Sequence, residues 1–436
     1  MLARDRQFQQ EISLLKKRLS KLTELGPRAP RGEKGHVEKT LNKAIQDYER
    51  FINDIKLQDT ELASLITVEA TSFEEIQSLL DPSTTILEYF TTKDKTYAWL
   101  ITKDDISVHE LNLGEKTLLA MVNELLLPNI SNRSRRPEPI ITLSTGGPQA
   151  EKTSGREIEK NRKQFLKATR DFYRSLLGPV EGGIRTERVI VVPHGVLHKV
   201  PFAALNDGKK FMVDKYSITV IPSSTVIEYV VKKRNQNRGR FLAFANPETD
   251  YVPLGFAEIE VRDISRLFSK KEIYSKGEAT EGRVKGRSDS PDIIHFACHG
   301  EFNDKQPMQS GLLLSKDAEN DGYFQVHEIF GLDLGNANLV VLSACETALS
   351  KIYGGDDLVG LSRGFIYAGT PSLLATLWEV DDRSTSILMK EFYENWHKKG
   401  MKKAEALKRA QVALKSMRQY RHPYYWAPFI MVGDWM

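Results

Sequence analysis

Runs of four consecutive apolar residues, spaced between amphipathic stretches, constrain this chain more than any other feature. Val189-Ile190-Val191-Val192, Phe241-Leu242-Ala243-Phe244 and Leu339-Val340-Val341-Leu342 carry no polar face. A strand of that kind must be covered on both sides, which is the condition of a parallel sheet between helical layers. Further strands are predicted over 217–221, 293–297, 372–377 and 429–432. Helices are predicted from 156 to about 177, after Ser224, and over 256–268, 357–368, 383–397 and 402–417. The expected fold class is α/β, with mostly parallel sheets covered by helices.

Two regions depart from that rhythm. Phe8, Ile12, Leu15, Leu19 and Leu22 alternate steps of four and three, and Val37, Leu41, Ala44, Tyr48, Phe51 and Ile55 repeat the spacing after a Gly26-Pro27 break. Two such stripes predict an antiparallel helical hairpin of coiled-coil type, a packing arm or a partner-binding surface. From Ile86 to Val108 three short aromatic and β-branched runs, divided by Lys/Asp turns, predict a meander, and a helix with Leu118 to Leu126 follows. Residues 131–155, with Arg133, Arg135 and Arg136, read as a polar surface loop.

At 436 residues the chain is long enough for more than one core. A net charge of +4 does not suggest nucleic acid, and two cysteines are too few for a secreted disulfide framework. The N-terminus lacks a signal-peptide apolar stretch, and no run has the length of a membrane span. A cytoplasmic protein is expected, with no membrane association.

In an open parallel sheet, reactive groups collect where strands end. One strand delivers Cys298-His299-Gly300-Glu301, and another delivers Ser343-Ala344-Cys345-Glu346-Thr347. If the two strands are neighbours, His299 and Cys345 meet at one rim. An imidazole titrates in the range needed to draw a proton from a thiol. The backbone amides of Gly300 and Cys345 are candidate donors to an oxyanion. His295 and Cys298, in or at the end of an apolar strand, read better as core. Neither metal-ligand clusters nor phosphate loops appear, so no cofactor and no metal are expected.

The two motifs His295-Phe296-Ala297-Cys298-His299-Gly300 and Leu342-Ser343-Ala344-Cys345-Glu346-Thr347 resemble the active-site motifs of the CHAT family of caspase-like cysteine peptidases. Gly311 to Ser315, Gly355 to Arg363, Ala375 to Asp382 and His422 to Phe429 follow in family order, and Val192 to His198 and Pro201 to Leu205 match upstream. The resemblance covers roughly residues 80–436. It implies a caspase/separase-type fold in two related halves and a dyad of His299 and Cys345. The resulting organisation is a helical hairpin over 1–80, a companion half without a nucleophile over 81–235, and a peptidase half over 236–436. Residues 1–297 hold no cysteine, which independently fits a silent companion; His194 and His198 are then structural.

The resemblance further implies a cysteine endopeptidase acting on a protein substrate, in a regulated bacterial defence or signalling system. In separase the acidic residue after Leu-Trp contacts a substrate arginine, which makes Glu379, with Asp381 and Asp382, substrate-pocket candidates. Acidic residues there also suit a helix N-terminus, so capping is the competing role; the same holds for Asp356 and Asp357. Family members often carry tetratricopeptide repeats, but no such period is visible here. Two explanations stay open: the N-terminus is a shortened form of a repeat region, or control passes through a regulatory protein partner, for which the N-terminal helices are the candidate surface. The alternatives are a non-catalytic caspase-like scaffold and a different acyl transfer by the same dyad.

Overall fold

The computed structural model of the chain describes residues 2–25, 30, 32–58, 72–130, 155–224, 226–287, 291–301, 309–343 and 360–436. In chain order the helices and strands begin with α1 (Leu2–Leu25), α2 (Glu33–Gln58) and α3 (Phe73–Leu79). The meander follows as β1 (Thr84–Thr91), β2 (Thr96–Ile101) and β3 (Ile106–Leu111), then α4 (Glu115–Ile130) and α5 (Gly155–Phe172). Next come β4 (Arg188–Val192), α6 (Met212–Lys215), β5 (Ser217–Val220), α7 (Val226–Lys232), β6 (Arg240–Ala245), α8 (Ala257–Ser265), β7 (Lys270–Ser275) and α9 (Glu281–Lys285). The series continues through β8 (Ile293–Ala297), β9 (His299–Glu301), β10 (Gly311–Leu313), β11 (Tyr323–Gln325), α10 (Val326–Ile329) and β12 (Leu339–Leu342). It closes with α11 (Gly360–Tyr367), β13 (Ser372–Thr376), α12 (Asp382–Tyr393), α13 (Lys403–Ser416) and β14 (Phe429–Gly433).

Two compact units are assembled from discontinuous stretches. The first takes Met1–Ala70, Tyr229–Thr347 and Val359–Leu373, and the second Thr71–Glu228, Ala348–Leu358 and Leu374–Met436. In the first, parallel strands run in the order β12-β8-β6-β7, and β9, β10 and β11 make a small antiparallel sheet. In the second the order is β3-β2-β1-β4-β5-β14, antiparallel through the meander and parallel from β1 onward. The mostly parallel α/β architecture expected from the apolar runs is present. The strands β4, β6, β8, β12 and β14 are buried along almost their whole length.

Helices form over both stripes, as α1 and α2, and pack on one another; the side chain of Ile55 lies outside the described residues. Ile12, Leu41, Ala44, Ile45 and Tyr48 make the buried centre of this hairpin, flanked by Phe8, Leu15, Leu19 and Phe51. Phe330, at the end of α10, also packs against this cluster, so the hairpin shares a core with elements far along the chain. Beneath it lies a charged group. The Lys16 ammonium stands 3.8 Å from Asp321 and 3.6 Å from Glu328, and Lys285 donates to Glu281 at 2.7 Å and to Glu328 at 2.8 Å. Burial and the neighbouring Glu328 push the Glu281 carboxyl up to about 8. Burial works the same way on Glu328, but Lys16, His327 and Lys285 outweigh it and hold that carboxyl below its usual range.

Two strand regions were not legible in the sequence. β7 carries Lys270, Lys271 and Glu272 and is exposed along much of its length, as suits a strand at a sheet edge, where charge blunts unwanted pairing. The strands β9, β10 and β11 have three residues each, too few for a periodic signal.

Candidate active site

Three neighbouring strands of the first unit bring their carboxyl ends to one edge. β8 pairs in parallel with β12 from Ile293↔Leu339 to Phe296↔Leu342, and with β6 from Ile293↔Phe241 to Ala297↔Ala245. Past β8 the chain passes through Cys298, which is buried, and enters β9 with His299 half-buried at its start. There it pairs antiparallel with β10, setting His299 opposite Leu313 and Gly300 opposite Leu312. β10 is closely held on its other side: a Cβ at Gly311 would lie 2.6 Å from the Phe324 carbonyl oxygen, so only glycine fits. Past β12 comes Ser343, buried, its hydroxyl without a hydrogen-bond partner among the described residues. Cys345, two positions further on, lies outside the described residues, as do Asp356, Asp357, Arg133, Arg135 and Arg136.

The imidazole of His299 has a defined polarity. Its Nε2 lies 2.8 Å from the main-chain carbonyl oxygen of Val252. A carbonyl can only accept, so Nε2 carries the proton and, in the neutral ring, Nδ1 keeps the lone pair. The contact comes from the loop after β6, which no sequence signal had singled out. Tyr251, in the same loop, lies with its ring 5.4 Å from the imidazole, and both Tyr251 and Val252 are exposed. Burial and the Glu301 carboxylate push the Tyr251 phenol above its usual range. The core reading of His295 agrees with its surroundings: its Nε2 lies 2.9 Å from the Glu260 carboxylate, both side chains buried.

The acidic candidates belong to the second unit. Asp381 is the N-cap of α12: its carboxylate accepts from the Ser384 amide at 2.8 Å, and its carbonyl accepts from Thr385 Oγ1 at 2.8 Å. Asp382 opens the first turn of the same helix. Glu379 is exposed, with no hydrogen bond or ion pair among the described residues. The Leu377-Trp378 pair before it is tied to the His422–Phe429 motif. The Leu377 amide donates to Pro428 at 2.9 Å, and the Trp378 indole donates to Tyr424 at 3.1 Å. In that unit His194 accepts the Thr91 amide at Nδ1, 3.3 Å away, and lies against the Phe90 ring, a structural role.

The family model described as the CHAT domain matches residues 166–434. Tetratricopeptide repeat protein 28 of Homo sapiens is 23% identical over 367 residues, which are 70% of this chain and 14% of that protein. The protein of the same name from Mus musculus is 22% identical over 366 residues, 70% of this chain and 15% of its own length. The chain thus spans a small part of the curated relatives it matches. Among solved structures, separase in the Saccharomyces cerevisiae separase–securin complex superposes with a TM-score of 0.58 at 12% identity, covering 82% of this chain and 30% of the other. That likeness is one of fold: a caspase-like α/β arrangement preceded here by N-terminal helices.

Proposed function

The chain belongs to the CHAT-domain family, and from that membership we propose that it is a cysteine endopeptidase in which His299 and Cys345 form the catalytic dyad. The observation that carries the reading is the Val252 carbonyl on His299 Nε2, which leaves Nδ1 as the basic nitrogen at the tips of adjoining parallel strands. In the proposed reaction Nδ1 takes the proton of the Cys345 thiol, and the thiolate attacks the scissile carbonyl carbon. The amides of Gly300 and Cys345 donate to the oxyanion. Collapse expels the amine, which receives the proton from Nδ1, and leaves a thioester on Cys345. Water, deprotonated by the same nitrogen, then releases the acid and restores the thiol. No oxidant or cofactor enters the balance.

Glu379 is the substrate-pocket residue we favour among the acidic candidates, because its carboxylate is uncommitted where that of Asp381 caps a helix. A regulatory protein would act at the N-terminal helices. Gln309, just before β10, donates to Asn42 of α2 at 2.8 Å, and β10 is the strand that pairs with the His299 strand.

Labelling the purified chain with an electrophilic thiol probe, alongside digestion of a peptide library, tests the dyad. Labelling should require Cys345, persist in Cys298→Ala, and fall in His299→Ala by about a hundredfold. Library cleavage should vanish in Cys345→Ala. Labelling confined to Cys298, or equal cleavage by Cys345→Ala, would sink the reading. Labelling of Cys345 without cleavage of any peptide would point to another acyl transfer.

A further inference from the structure

We infer that Asn246 is a positioning residue for the His299 imidazole, acting through the carbonyl of Val252; its meaning for catalysis rests on the dyad reading above. Three hydrogen bonds close a ring around this loop. The Asn246 amide donates to the Ala297 carbonyl at 2.8 Å, two residues before His299. His299 Nε2 donates to the Val252 carbonyl at 2.8 Å. The Leu254 amide, two residues past Val252, donates to Asn246 Oδ1 at 2.8 Å. One residue thus holds the loop that carries the acceptor and the strand end that carries the imidazole.

The residue type is specified from several sides. Asn246 has a φ of 47°, a left-handed conformation that glycine, asparagine and aspartate adopt at low cost and other residues do not. Its Nδ2 donates to Glu258 Oε1 at 3.0 Å, which turns the amide so that Oδ1 faces the Leu254 amide. Glycine would keep the backbone and lose the acceptor. Aspartate would keep backbone and acceptor but set a second carboxylate against Glu258. Only asparagine meets every requirement.

The test reads the imidazole directly. In the full chain labelled with 15N-histidine, the His299 Nε2 proton, held by a carbonyl, should give a slowly exchanging resonance. Asn246→Gly and Leu254→Pro should each lose it, and Asn246→Asp should retain it. Alkylation of Cys345 by iodoacetamide should fall about tenfold at neutral pH in the first two variants, where the imidazole assists. It should be unchanged at high pH, where the thiol ionises unaided. A general loss of structure would free the thiol and give the same ratio, so the resonance of the His295 Nε2 proton, buried against Glu260, must persist in each variant for its ratio to count. A retained resonance with an unchanged ratio in Asn246→Gly, or in Leu254→Pro should the glycine variant fail to fold, overturns the inference. Alkylation indifferent to His299→Ala would instead sink the dyad, and the resonance would still decide the role of Asn246.

Discussion

Which nitrogen of a neutral imidazole is the base is set by what the other donates to, and at His299 that acceptor is a main-chain carbonyl. No side-chain pattern advertises such a partner, because any residue type has a carbonyl; Val252 and Asn246 were therefore invisible in the sequence, while His299 stood out by its place after an apolar strand. The same scale holds a pH-sensitive group. Glu281, raised to about 8 by burial and then by Glu328, binds its proton more tightly in the folded chain than when unfolded. Its contribution is complete below the unfolded carboxyl range and is lost as pH rises through about 8. Unfolding in urea should show stability falling from pH about 5 to pH about 8, by on the order of 2 kcal/mol. Glu281→Gln should flatten that slope; an unaltered slope would assign it to other groups.

At the scale of elements, the acidic run after Trp378 shows how one stretch of sequence supports two roles. The spacing of Asp381 and Ser384 is that of a helix cap, and the structure uses it so. Asp381→Ala should therefore cost about 1 kcal/mol in thermal or urea unfolding. Asp381→Asn should cost little, since asparagine caps as well. If peptide cleavage after basic residues survives in Asp381→Asn and fails in Glu379→Gln, capping and recognition are separated. The reverse result would make Asp381 the recognition residue. Strands read from uniform apolar runs lie within a residue or two of their predicted ends, because burial on both faces leaves no other use for such residues. β7 and the three short strands after β8 were missed for the opposite reason: pairing with a neighbour, not their own composition, makes them strands.

Over the whole molecule, sequence order conceals which parts share a core. The N-terminal hairpin reads as a separate arm, yet Phe330 packs against its centre and Lys16 faces Asp321 and Glu328. Those contacts join residues far apart in the chain, and local periodicity carries no trace of them. Removal of residues 1–58 should therefore act as the loss of a core wall. Phe330 would be bared and two carboxylates would lose a cation, lowering stability on the order of 3 kcal/mol and raising binding of an apolar dye. A shortened chain with unchanged unfolding would show that the hairpin is an appendage.

The discontinuity of the second unit bears on how the chain comes into being. β5 completes its pairing with β14, which ends at Gly433, and Gln411 of α13 donates to the Trp426 and Phe429 carbonyls that frame that last strand. The whole stretch between Val220 and Phe429 must be made before that edge is covered, so β5 waits through its synthesis with one edge bare, whereas β8 has both its neighbours, β6 and β12, by Leu342. The strand edge left open to misassociation during translation is thus that of β5 and not one beside the candidate chemistry, and a chaperone bound to the nascent chain would be expected there.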